Sequence, residues 1–134
     1  MKSYNNIYLI DDFETVNFLH TMLLKRLGFQ SVFSFTNPEE GLKVLLENRN
    51  SLKSSLILLD INMPEMNGFE FLDCLLKEGI TQSLDVIIVS SSISEKDKRL
   101  ALEYPEYVRH FLNKPLESNQ LKTLLELNEN SKLI

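Results

Sequence analysis

Short apolar runs alternate along the chain with longer stretches in which apolar residues recur every three or four positions. The two rhythms predict strands and helices in turn. Asn6 to Ile10 reads as a first strand ending in Asp11-Asp12, and Glu14 to Leu27 as a helix with Val16, Leu19, Leu23 and Leu27 on its apolar side. Gly28 then suits a helix C-terminus. Ser31 to Phe35 alternates with period two and predicts a second strand. Asn37-Pro38 is an N-cap with proline in the first helical position, opening a helix that carries Leu42, Leu45 and Leu46. Ser55 to Leu59 is continuously apolar and ends in Asp60, as expected of a strand buried on both faces. Gly68 to Lys77 is helical, with Phe69, Leu72, Leu75 and Leu76 as its apolar side and Gly79 beyond its end. Asp85 to Val89 repeats the doubly buried pattern and leads into Ser90-Ser91-Ser92. Ser94 and Asp97 form a capping box one methylene short before a helix reaching Tyr104. Val108 to Leu112 is the fifth strand, followed by Asn113-Lys114-Pro115, and Ser118 to Leu127 a last helix with Leu121, Leu124 and Leu125. The tail from Asn128 to Ile134 is expected to fray.

Strands and helices in strict alternation imply right-handed crossovers, and hence an α/β fold of three layers: helices on both faces of a parallel sheet. The 134 residues, 43% hydrophobic and 25% charged, match one ordinary soluble domain over 1–134, with nothing left for an output domain. A single cysteine, Cys74, rules out an internal disulfide framework and a cysteine zinc site, and two histidines leave little for a histidine metal site. The formal charge of −5 argues against a nucleic-acid partner, which requires a basic face. No apolar run has the length of a secretory core or a membrane span, so the expected setting is the cytoplasm with no membrane partner.

The informative polar residues sit at strand ends. In open α/β sheets, ligands bind beyond the carboxyl ends of the strands. Asp11 and Asp12 follow the first strand, Asp60 the third, Ser90 the fourth and Lys114 the fifth, so one edge should gather three carboxylates, a hydroxyl and an ammonium. Carboxylates that close repel one another unless a cation lies between them, and an oxygen-only donor set suits a hard cation such as Mg²⁺. A carboxylate facing such an ion, a hydroxyl and a lysine is a nucleophile suited to a phosphoryl group. Singly, each residue has a plainer role: Asp11-Asp12 as a cap, Asp60 or Lys114-Pro115 as a turn, Ser90 to Ser92 as a polar loop. Phe69 and Phe71 read as packing, Cys74 as a small buried hydrophobe and His20 as a solvated or half-buried bystander. Their joint occurrence at different strand ends carries the argument.

With these residues in place, the chain resembles the receiver domain of two-component response regulators, of the stand-alone, chemotaxis-receiver kind. Asp11-Asp12, the run Asp60-Ile61-Asn62-Met63-Pro64 through Asn67-Gly68, Val89-Ser90-Ser91 and Phe111-Leu112-Asn113-Lys114-Pro115 carry the likeness in order. The resemblance implies a (βα)5 flavodoxin-like fold with strand order 2-1-3-4-5. It implies Asp60 as phosphoacceptor, charged by a sensor histidine kinase or a histidine phosphotransfer protein. Asp12, Asp60 and the carbonyl of Asn62 would hold Mg²⁺, with Asp11 beside it, directly or through water. Ser90 and Lys114 would contact the phosphoryl group, and the Lys114–Pro115 bond would be cis. Ser90 and Phe111 would form the switch that alters binding to a downstream protein target, or the phosphoryl group would be relayed onward. Asn62 and Ser92 fall where dephosphorylation is tuned, and the kinase would dock near Phe13 to Phe18 and the loop after Pro115. The resemblance thus implies no separate enzyme, only self-catalysed phosphorylation and dephosphorylation of an aspartate.

Competing readings fit less well. A receiver-like interaction module that does without phosphorylation would lack an acid or the lysine, and none is missing. An aspartyl-phosphate phosphatase of the haloacid dehalogenase type needs a second Asp two positions after the nucleophile, where this chain has Asn62. A flavodoxin needs a hydroxyl- and glycine-rich loop after the first strand, where Asp11-Asp12-Phe13-Glu14 would repel a phosphate, and no dinucleotide fingerprint is present.

Overall fold

The computed structural model describes residues 4–80, 84–91 and 93–133, with side chains described up to 125. Five strands, β1 (Asn6–Ile10), β2 (Val32–Phe35), β3 (Ser55–Leu59), β4 (Leu84–Ser90) and β5 (Val108–Asn113), form one parallel sheet of order β2-β1-β3-β4-β5. Five helices connect or follow them: α1 (Glu14–Arg26), α2 (Pro38–Glu47), α3 (Gly68–Lys77), α4 (Glu95–Ala101) and α5 (Ser118–Leu133). A 3₁₀ turn, Arg49–Ser51, follows α2 and has no counterpart in the sequence reading. The expected fold class and strand order are therefore those observed.

The apolar pattern explains the layers. Alternate residues of a strand face opposite sides of a sheet. Tyr8, Ile10, Ile57, Leu59, Val86 and Ile88 point to one side, where they meet Leu45 of α2, Phe71, Leu72 and Leu75 of α3, and Ala101 of α4. Ile7, Leu9, Leu56, Leu58, Ile87 and Val89 point to the other, against Leu24 of α1 and Leu121 and Leu125 of α5. Central β3 is buried throughout, whereas β2 at one edge and β5 at the other are half-open.

Caps fix where the helices begin. The Asn37 side chain accepts the Glu39 N–H at 2.8 Å. Asn67 and Glu70 form a reciprocal capping box on α3, and Ser94 and Asp97 form the shortened box expected on α4. Gly28 takes a φ of +102° just after α1, a conformation that an L side chain rarely adopts.

Several boundaries move. Strand β4 starts at Leu84, α4 ends at Ala101, and α5 continues to Leu133 through the stretch expected to fray. Strand β2 begins one residue later than the alternation suggested. The larger correction concerns the face of α1. Leu19 is 53% exposed, and Leu23 and Leu27 are only half-buried; the inward positions are Asn17, His20 and Leu24. Asn17 wins an inward position because the first turn of α1 lies over the strand ends, where its side chain donates to the carbonyls of Asp11 and Phe35. His20 is buried, not solvated or half-buried as expected. Leu76, read as inward, is exposed on α3, and Phe71 takes the core position instead. Cys74 is half-buried.

Candidate functional site

The site is built by register. Ile10 pairs with Leu59 in the parallel ladder, so the residues that follow emerge side by side. The Asp60 N–H donates to the Ile10 carbonyl at 2.9 Å, locking that juxtaposition. Asp11, Asp12 and Asp60 each offer a carboxylate oxygen, and these oxygens all lie within 4.8 Å of one another. Asp11 and Asp60 are buried and Asp12 is half-buried. On the other side of β3, Ser90 closes β4 in register with Asn113, and the Lys114 N–H donates to the Ser90 carbonyl at 3.0 Å. Lys114 then reaches back along the edge. Its ammonium lies 2.5 Å from Asp11 Oδ2 and 3.3 Å from Asp60 Oδ1. The Lys114–Pro115 peptide is cis, as the resemblance implies.

Charge at this edge is unbalanced, with three carboxylates to one ammonium. Burial pushes Asp60 up to about 6; the Asp11 carboxylate adds to this, Lys114 opposes it, and Asp12 adds a little more. Asp12 Oδ1 is buried and has no hydrogen-bond partner among the described residues. A buried, unpartnered carboxylate oxygen is costly unless a cation meets it. The donor set is all oxygen, tightly grouped and over-negative, which fits a hard divalent ion such as Mg²⁺ better than a soft one.

Two supports escaped the sequence reading, and a third, Gly68, was read only as part of the family motif. Asn17 donates from Nδ2 to the carbonyls of Asp11, at 3.0 Å, and Phe35, at 3.2 Å, tying α1 to the ends of β1 and β2. An asparagine one position off a leucine stripe could have signalled an inward polar anchor. Replacing it with leucine leaves both carbonyls without that donor, and a loss of about 2 kcal/mol in a urea unfolding experiment is the expected result. The Phe13 N–H donates to Asp11 Oδ1 at 2.9 Å and fixes that carboxylate's orientation. Gly68 lies against the backbone of Asp60 and Ile61, so close that a Cβ would stand 2.7 Å from the Asp60 carbonyl oxygen.

Other expected positions lie as follows. Ser90 is fully buried, Asn62 is exposed, and Phe111 is half-buried against the α2–α4 side of the core, in register with Ile88. Ser92 lies outside the described residues. His20 lies near enough to feel the site: burial pushes its imidazole below the ordinary histidine range, with Asp11 opposing and Lys114 reinforcing. A groove of about 610 Å³ between α1 and β2 is lined by Glu14, Asn17, Phe18, Phe35 and Glu40 among others. No helix among the described residues is long and apolar enough to cross a membrane.

A parallel five-stranded sheet of this order, with acids on the first and third strand ends and a lysine after the fifth, defines a receiver. The response regulator receiver domain family matches residues 7–126, and the chain belongs to that family, the receivers of two-component systems. It is 32% identical to the protein PilH of Pseudomonas aeruginosa over 119 residues, which cover 88% of this chain and 93% of that one. It is 29% identical over 120 residues to the sensor histidine kinase CheAY of Helicobacter pylori, covering 90% of this chain but 14% of that longer protein. Among solved structures, a two-component response regulator from Cytophaga hutchinsonii superposes with a TM-score of 0.82 at 28% identity, covering 96% of this chain and 99% of that one.

Proposed function

We propose that this chain is a phosphoacceptor in a two-component or phosphorelay pathway, with Asp60 as the residue that carries the phosphoryl group. The observation that supports it most directly is the placement of a buried Asp60 carboxylate within 4.8 Å of two others and 3.3 Å from a lysine ammonium. Asp60 attacks phosphorus in line. The new bond joins its carboxylate oxygen to phosphorus, the bond from phosphorus to the donor's imidazole nitrogen breaks, and that nitrogen leaves with the electron pair. Asp12, Asp60 and the Asn62 carbonyl would hold Mg²⁺, with Asp11 beside it; the ion supplies neutralisation of the oxygens' negative charge.

The protein's own groups do the rest. Lys114 already bridges Asp11 and Asp60, so it is positioned to exchange a carboxylate for a phosphoryl oxygen. Ser90 donates its hydroxyl to another. Phosphorylation adds about −1.5 to −2 charge at a buried edge. Lys114 and Ser90 follow that charge, and the movement of Ser90 at the end of β4 is felt by Phe111 across the β4–β5 ladder. The altered face is what a downstream protein reads, while a sensor kinase or phosphotransfer protein supplies the group.

The test is an intact-mass measurement after incubation with Mg²⁺ and acetyl phosphate. A gain of one phosphoryl group is expected, and neither an Asp60→Ala variant nor a chelator-treated sample should show it. A gain that survives in Asp60→Ala would remove Asp60 from the role.

A further inference from the structure

The connection between α4 and β5, residues 102–107, carries two tyrosines that the site does not use. Tyr104 is buried, and its hydroxyl donates to Asp73 Oδ1 at 2.7 Å. Its ring stacks on Phe69, with centroids 6.0 Å apart and planes 22° from parallel. Phe69 and Asp73 are four residues apart on α3 and therefore neighbours on one face of it. Tyr104 thus lies across one turn of α3, gripping a ring at one end and a carboxylate at the other. Burial, and then the bond to Asp73, push its hydroxyl up to about 12, so it remains a donor at neutral pH.

The backbone of Tyr104 is held in turn. Its carbonyl accepts the N–H groups of Tyr107 and Val108, each at 3.0 Å. Tyr107 is fully buried, and its hydroxyl donates to the carbonyl of Ile80, just beyond the end of α3. Of α4 itself, only Ala101 is buried. The two tyrosines therefore fasten the connection to α3 at two levels, near the start of that helix and past its end.

The start of α3 is also where the helix meets the phosphoacceptor. Gly68 lies against the backbone of Asp60, its N–H donates to the Ile61 carbonyl at 2.9 Å, and Phe69 follows directly. Phe71, Leu72 and Leu75 hold α3 down on the sheet. Apolar contact is non-directional, whereas a stacked ring and a hydroxyl–carboxylate bond fix a register. We propose that Tyr104 is a positioning residue for phosphoryl transfer: from the connection after α4 it fixes α3, and through Gly68 the backbone of Asp60. The inference rests on Asp60 being the phosphoacceptor, and its path passes through neither Ser90 nor Phe111. A second hydroxyl–carboxylate bond, Tyr4 to Asp85 at 2.6 Å, sits at the opposite end of the sheet, where the strands start. It provides a control of the same chemistry far from Asp60.

Time courses of phosphoryl uptake from acetyl phosphate with Mg²⁺, read by intact mass, test it. Tyr104→Phe, which keeps the stacked ring, and Asp73→Ala should each slow uptake at least about threefold. The double variant should be no slower than either, because both remove one bond. Asp73→Asn, whose amide oxygen still accepts, should run near the wild-type rate, and Tyr4→Phe should leave the rate unchanged. Hydrogen exchange at the Gly68 amide should quicken in Tyr104→Phe and not in Tyr4→Phe, a readout that needs no phosphoryl donor. Uptake by Tyr104→Phe at the wild-type rate would overturn the proposal. So would equal slowing in Tyr4→Phe, which would make the effect one of general stability, or an Asp73→Asn as slow as Asp73→Ala. A wild type that gains no phosphoryl group would sink the reading of Asp60 and this proposal with it; a normal gain at equal rates in all variants would sink the proposal alone.

Discussion

Asp60→Asn takes phosphoryl uptake to zero and, in metal-free buffer at neutral pH, makes the protein more stable than the wild type. The two effects have one cause. In the folded chain burial and the neighbouring Asp11 carboxylate push Asp60 from 3.8 up to about 6. Between those values the folded chain binds more protons than the unfolded one. Stability therefore falls as pH rises through that window, since its slope with pH follows the protons bound by the unfolded state minus those bound by the native state. The contribution is fully present below the unfolded value and is lost as pH rises through the folded one. Asparagine cannot ionise and escapes the loss. The stability difference between variant and wild type should be small near pH ~4 and grow to about 1–2 kcal/mol above pH ~6.5, allowing for water at the open sheet edge. His20, whose lowered value makes stability fall as pH drops below the ordinary histidine range, is common to both chains and cancels in the difference. Mg²⁺ should reverse the order. Binding to the native state alone stabilises it by mass action, and the variant lacks one charged donor for the ion. Urea unfolding at a series of pH values, with chelator and with Mg²⁺, measures both. A variant less stable than the wild type in chelator at neutral pH would mean that Lys114 already compensates the buried carboxylates.

How much of this could be read from residues alone depends on what sets each feature. The doubly buried strands were legible because an uninterrupted apolar run such as Ser55 to Leu59 has few other homes in a soluble chain. The strand-end acids followed, since Asp11, Asp12 and Asp60 each terminate such a run, and the observed register then brings them together. Helix α1 was misread for an equally physical reason. Its leucine spacing fits a helix but does not say which flank faces in, and the decision was made by two carbonyls that Asn17 must satisfy. That requirement exists only once β1 and β2 are side by side, so it is invisible to periodicity. Its consequence is that Leu19 is left exposed on α1. The length of α5 was likewise illegible, because a polar helical turn and a polar tail look the same in composition.

Gly68→Ala is the second large effect, and two opposing terms decide it. Gly68 is the first residue of α3, and alanine there gains at most about 1 kcal/mol of helix propensity. Against this, the new Cβ would stand 2.7 Å from the Asp60 carbonyl oxygen and 3.1 Å from Ile61 Cα. Both are backbone atoms that cannot rotate away. The helix cannot simply withdraw either, since the Gly68 N–H donates to the Ile61 carbonyl at 2.9 Å and Asn67 and Glu70 fix the first turn. Steric strain therefore wins, with an expected net loss of about 2 kcal/mol. The strain is delivered to the backbone of the phosphoacceptor itself. A displacement of a few tenths of an ångström there should slow phosphoryl uptake from acetyl phosphate by about 10²-fold, because this chemistry rests on positioning. Gly41→Ala is the matched control. Its Cβ would lie 2.6 Å from Ile10, but the atom met is Cδ1, the far end of a flexible side chain. Ile10 can turn, so about 1 kcal/mol or less of lost stability and a nearly normal uptake rate are expected. Unfolding curves and uptake time courses on the two variants separate the explanations. Equal slowing in both would mean that any crowding of the core reaches Asp60; slowing confined to Gly68→Ala would locate the sensitivity in the contact between α3 and the phosphoacceptor backbone.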